Sequence, residues 1–149
     1  MTDRSERAVL NHLIETCKDA ERGFRHVADY AADPGVKTLF LDIASQRARF
    51  AADLVPHAQR LGGARDADGT TAAALHRTWI DLRNALAKDH LATVVHEAER
   101  GEHFSMGVYR EALDGILPPT VRDVVESQYQ EIIATGLRLR ALERPAMAH

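Results

Sequence analysis

An all-α single domain is the fold class the sequence predicts, and three observations predict it. Apolar residues recur at three- and four-residue spacing over most of the chain. Ala, Leu, Arg and Glu dominate while aromatic residues make up only 5%, a balance suited to helices packed through aliphatic side chains. The tetrad Ala20-Glu21-Arg22-Gly23 returns as Ala98-Glu99-Arg100-Gly101, each copy inside such a stretch. The chain therefore reads as one helical hairpin used twice. Its 149 residues fit one domain, with a core over about 5–143 and a frayed tail at 144–149.

The first helix is predicted over about Ser5 to Ala32, through Leu10, Leu13, Ile14, Cys17, Phe24, Val27, Ala28 and Ala31. Asp33-Pro34-Gly35 breaks it, and a connection this short implies an antiparallel neighbour. The second stripe runs through Val36, Leu39, Phe40, Ile43, Gln46, Phe50, Leu54, His57 and Leu61, stopping at Gly62-Gly63; Pro56 should kink it or cut it short. Residues 62–70 are small and polar and open a long connection. Within it, Thr70 or Thr71 can cap a shorter helix whose seam is Leu75, Trp79, Leu82 and Leu86. The third long helix, about Lys88 to Leu113, carries Leu91, Val95, Ala98, Glu102, Met106, Tyr109 and Leu113. Gly115 to Pro119 ends it, Pro118 or Pro119 begins the fourth, and that helix runs to about Glu143 before Pro145. Its inward positions are Val121, Val125, Gln128, Ile132, Thr135, Leu139 and Leu142. Two hairpins joined by a long crossover that contains a short helix match the ferritin-like four-helix bundle.

Composition excludes several function classes. Net charge is −3, with 22 acidic and 19 basic residues mixed along the chain, so the electrostatic footprint of a nucleic-acid binder is missing. No apolar run approaches the roughly 18 residues of a membrane span. A single cysteine, Cys17, cannot form an internal disulfide, and the N-terminus is charged without an apolar signal segment, so a cytoplasmic location is expected. Cys17 falls on the apolar seam as a small core residue.

Glu21 and Glu99 flank their stripes and point toward mid-bundle, and Gln46-Arg47-Ala48-Arg49 can be laid on Gln128-Tyr129-Gln130-Glu131. Di-metal bundles place one inward Glu on each of two helices and Glu-x-x-His on each of the others, because a hard divalent pair needs carboxylate oxygens and imidazole nitrogens. Glu21 and Glu99 fill the lone-Glu role, but both tetrads lack histidine and begin with Gln. A buried hydrogen-bonded layer is the leading expectation, with the amides of Gln46 and Gln128 and an arginine satisfying Glu21 and Glu99. The alternative is a metal site of Glu21, Glu99, Glu102 and Glu131, holding iron or another divalent metal. Glu102 is central to it, since it lies nearer its stripe's centre than Glu99 and occupies the position of Phe24 in the first copy. His96, Glu99 and His103 also share one helical face, mostly outside the core stripe. His57 and His76 read as core-edge histidines, and the glycines Gly23 and Gly101 as room for close packing.

With Cys17 to Phe24, Gln46 to Phe50, Leu75 to Leu82 and Ala98 to Glu102 in view, the chain resembles an uncharacterised proteobacterial four-helix-bundle family. That family carries a domain-of-unknown-function label and is grouped with ferritin-like and rubrerythrin-like proteins. The resemblance spans about residues 8–142 and implies a ferritin-like fold in a bacterial cytoplasm, without a known reaction. The expected function is a non-catalytic bundle in a stress-associated, interaction or assembly role, with no cofactor and a degenerate di-metal site. The alternative is a metal-dependent oxidoreductase or iron-handling protein. A third expectation is a protein partner docking on the crossover helix around Trp79, and a homodimer is the expected assembly.

Overall fold

The computed structural model describes residues 2–62, 72–88 and 91–142, and every regular element among them is a helix. α1 spans Thr2–Ala28, α2 Pro34–Arg60, α3 Ala72–Lys88, α4 Leu91–Asp114 and α5 Pro119–Ala141. No helix among the described residues is long and apolar enough to cross a membrane.

Named contacts fix the helix directions. Asp42 meets Arg138, Gln46 meets Thr135 and Arg49 meets Glu131, so α2 and α5 are antiparallel. Glu99 with Arg140 and Tyr109 with Gln128 make α4 and α5 antiparallel as well. α1 and α2 form the most extensively packed hairpin, closed by Arg7 at the Gly62 carbonyl and by Phe24 against Phe40. It follows that α2 and α4 run the same way, and the chain must return the length of the bundle between them. Among the described residues α3 makes the upper part of that return, lying on α1 through Trp79 and on α4 through Asp81 and Arg100.

Local chemistry sets the helix ends. Asp33 is the N-cap of α2: its carboxylate accepts from the Gly35 and Val36 amides, while Pro34 takes the first turn, where its missing N–H costs nothing. Gly62 follows the last turn of α2 with φ +121°, a conformation that favours glycine. Pro56 does not cut α2 short, and the helix continues to Arg60. The carbonyl that Pro56 leaves without its helical donor belongs to Ala52, which is exposed and can be served by solvent. Leu91, expected in the core stripe, opens α4 and is exposed. Thr70, Thr71, Gly63, Pro145 and the tail at 144–149 lie outside the described residues.

The core has two apolar halves. A lower cluster gathers Leu10, Leu13, Ile14, Phe50, Leu54, Val108, Val125 and Ile132 from α1, α2, α4 and α5. An upper cluster gathers Phe24, Val27, Phe40, Ile43, Leu82, Val94, Ala98 and Leu139, and among the described residues α3 contributes to this half alone. Along α2, α4 and α5 the sequence passes from one half to the other through buried polar residues: Arg47 on α2, Glu102 and Ser105 on α4, Thr135 on α5.

Candidate functional site

Arg47 and Glu102 are both fully buried, and the Arg47 Nη2 donates to Glu102 Oε2 at 2.5 Å. They stand on the two helices that run in the same direction, so the guanidinium reaches across the bundle interior. Arg47 Nη1 donates to Ser105 Oγ at 3.5 Å, and its Nε to Gln46 Oε1 at 3.0 Å. The Gln46 amide nitrogen donates to Thr135 Oγ1 at 3.2 Å, and the Thr135 hydroxyl donates to the Glu131 carbonyl at 2.9 Å. The Thr135 hydroxyl also lies 3.4 Å from Gln46 Oε1, a second acceptor within its reach, so the network joins a cation on α2 to a backbone oxygen on α5.

A second chain lies beside the first. Tyr109 donates to Gln128 Oε1 at 2.7 Å, and Gln128 Nε2 donates to the Phe50 carbonyl at 3.3 Å, which fixes the amide's orientation. With its only proton committed to Gln128, the Tyr109 oxygen acts as acceptor toward the Cys17 thiol 3.1 Å away. This chain links α1, α4, α5 and α2 and also ends on a backbone oxygen. Together the two chains form a polar layer between the apolar halves.

Electrostatics keep the layer in one charge state. Burial pushes the Cys17 thiol from its ordinary 9.0 up to about 11, against the smaller opposing effects of the Tyr109 hydrogen bond and the Arg47 charge. Burial, followed by neighbouring Cys17, raises the Tyr109 phenol well above its ordinary value. For Arg47, burial acts to lower the value, but adjacent Glu102 and the other neighbours together outweigh it and the guanidinium stays charged. Glu102 Oε1 is buried and has no hydrogen-bond partner among the described residues. The layer thus contains one ion pair, a thiol and a phenol that burial favours in their protonated forms, and one carboxylate oxygen left over.

The structure does not bring the four carboxylates Glu21, Glu99, Glu102 and Glu131 together; each meets its own arginine. Glu21 pairs with Arg25 one turn along α1 at 2.7 Å, Glu99 with Arg140 of α5 at 3.2 Å, and Glu131 with Arg49 of α2 at 2.9 Å. These three lie at the edge of the bundle, and of the four only Glu102 enters the interior. Among the described residues no three His, Cys, Asp or Glu side chains converge as metal ligands would. The arginine expected to satisfy Glu21 and Glu99 instead satisfies Glu102. Glu21 and Glu99 lie partly exposed at the bundle edge and meet the half-exposed Arg25 and Arg140 there, which leaves Arg47 to the carboxylate in the interior. Gln46 and Gln128 both join the layer, in different chains.

Sequence reasoning missed the Cys17–Tyr109 contact and the role of Ser105. Ser105 could have been found, because it follows Glu102 by three residues on the same face. His96 and His103 are exposed. Partial burial, followed by Arg60, lowers the pKa of His57, and the side chain of His76 lies outside what is described. Gly23 has a specific reason: a Cβ there would overlap the Trp79 indole, which sits edge-on to Phe24 with centroids 5.0 Å apart.

Among known families, residues 6–115 match the one described as a domain of unknown function (DUF2383), a span that takes in Cys17, Arg47, Glu102 and Tyr109 and ends after α4. No curated protein matches the chain significantly.

Proposed function

The chain belongs to the DUF2383 family, whose function is unknown, and from that premise we propose a non-catalytic ferritin-like bundle serving an interaction or assembly role. The fully buried Arg47–Glu102 pair carries this reading. A guanidinium is a permanent cation, and at mid-bundle it occupies the kind of position a divalent pair would take in a metal-bearing relative of this architecture. The donor set does not fit such a pair: three of the four candidate carboxylates turn to surface arginines, and neither Gln-led tetrad supplies an imidazole. Nor is a nucleophile activated, because Cys17 is held as a thiol donating to a phenol. The lone buried thiol supports a reducing, cytoplasmic setting, and the sequence resemblance supports a bacterial one.

The test is elemental analysis of purified protein after incubation with ferrous iron, manganese or zinc and removal of the excess. No stoichiometric uptake is expected, and Glu21→Ala or Glu99→Ala should leave the metal content unchanged. Tight uptake of two metals per chain would overturn the reading in favour of an iron-handling protein using Glu21, Glu99, Glu102 and Glu131.

A further inference from the structure

The outer face of α3 stands out in how its charges are used. Most of the described arginines elsewhere are committed within the chain: Arg22 pairs with Asp19, Arg25 with Glu21, Arg49 with Glu131, Arg138 with Asp42 and Arg140 with Glu99. On α3, Arg77 and Lys88 are exposed and meet no carboxylate among the described residues, and Arg83 lies over the Tyr30 ring at 5.5 Å. The helix's only acid, Asp81, lies on the α4 edge of this face, about 20° from Lys88 and about 40° from Arg77, and is paired across to Arg100 at 3.4 Å, an arginine that also holds Glu97. At about 100° per residue, Arg77, Ile80, Asn84 and Lys88 share the face opposite buried Leu82, Ala85 and Leu86, with Arg83 on the flank toward α1. Ile80 and Tyr30 are each 43% exposed, so apolar and aromatic surface sits among these three cations. A chain of net charge −3 thus presents a positive face around exposed apolar groups.

We infer that this face, Arg77, Ile80, Arg83, Lys88 and Tyr30, docks an acidic, amphipathic segment of a partner protein. Charge complementarity selects the occupant: carboxylates answer Arg77, Arg83 and Lys88, while an apolar side chain covers Ile80 and the Tyr30 ring. Arg and Tyr are also the residue types that anchor such contacts. The Trp79 side of α3 is occupied by Gly23 and Phe24, so docking uses the opposite side of the helix. The inference rests on the interaction role proposed above and deepens it.

The test uses the full chain and a fluorescein-labelled peptide repeating Glu-Leu-Glu-Asp, read by fluorescence anisotropy. Binding is expected, weakening at least about tenfold between roughly 50 and 300 mM salt. Arg77→Glu with Lys88→Glu should abolish it, while Arg122→Glu at an exposed position of α5 should leave it intact, with helical circular dichroism unchanged in both. Absence of binding, binding that survives the α3 reversals, or equal binding to anionic vesicles or single-stranded DNA would each overturn the docking inference. None of these results would touch the metal-free reading, which falls only on metal uptake.

Discussion

Phe24 and Glu102 each follow an Ala-Glu-Arg-Gly tetrad, and both side chains are fully buried, yet they build opposite kinds of interior. Phe24 packs against Phe40 at 5.3 Å and against Trp79, and the chain closes the space with aromatic rings and a glycine. Glu102 instead draws Arg47 across the bundle and organises Ser105, Gln46 and Thr135 behind it. The lesson is that one local sequence can seat either an apolar plug or a charge, provided the facing helix answers. Apolar packing answers to shape and volume, whereas a buried charge fails when its partner is lost.

The sharpest way to break this comparison is to remove one charge. Glu102→Ala strands the Arg47 guanidinium in the core and is expected to cost about 3–5 kcal/mol in urea unfolding. Arg47→Met combined with Glu102→Leu should recover most of that loss, making the polar layer resemble the Phe24 half. Arg49→Ala, which breaks a half-exposed pair with Glu131, should change stability by less than about 1 kcal/mol. A double variant as unstable as Glu102→Ala alone would show that charge is not what separates the two halves.

A pH titration sharpens the same contrast from the polar side. Cys17 in the folded protein keeps its proton up to about 11, whereas the unfolded chain releases it from about 9.0. The unfolded state therefore binds fewer protons as the pH climbs, so the thiol's contribution is complete below pH 9.0 and disappears between there and about 11. The loss should be on the order of 2–3 kcal/mol in chemical unfolding across that window. Tyr109 acts in the same direction. Cys17→Ala should flatten the alkaline slope; an unchanged slope would mean that the thiol does not contribute.

In the upper half the informative change adds a methyl group. Gly23→Ala forces the Trp79 indole out of its place and should cost about 1–3 kcal/mol, with a red shift in tryptophan emission. Gly107→Ala, whose added methyl would find no other group within 4 Å, is the matched control and should be neutral or slightly stabilising. Equal responses from the two glycines would remove the special role given to the Gly23 hollow.

Much of the fold was legible because helical periodicity and turn chemistry are local. The stripes through Leu10 to Ala28 and Val36 to Leu54 mark the faces that are buried, and Gly62 marks the end of α2. The short helix around Trp79 was legible from four apolar positions alone. The candidate site was legible only in its ingredients. Glu102, Gln46, Gln128 and an arginine all belong to the polar layer, but which carboxylate meets Arg47 depends on how far each helix is rotated within the bundle. Glu21 and Glu99 lie close to the boundary of their stripes, where a small rotation exchanges core for water, and periodicity does not resolve that difference. The Cys17–Tyr109 contact joins residues far apart in sequence, and no spacing rule announces it.

Trp79 is the chain's only tryptophan, and it stands between the crossover helix and Gly23 on α1. Its fluorescence is therefore a reporter for a single joint of the molecule, lighting up the attachment of α3 while remaining silent about the Arg47 end. A titration followed by tryptophan emission alone would mistake the release of one helix for global denaturation; paired with circular dichroism, the same signal would separate undocking from unfolding.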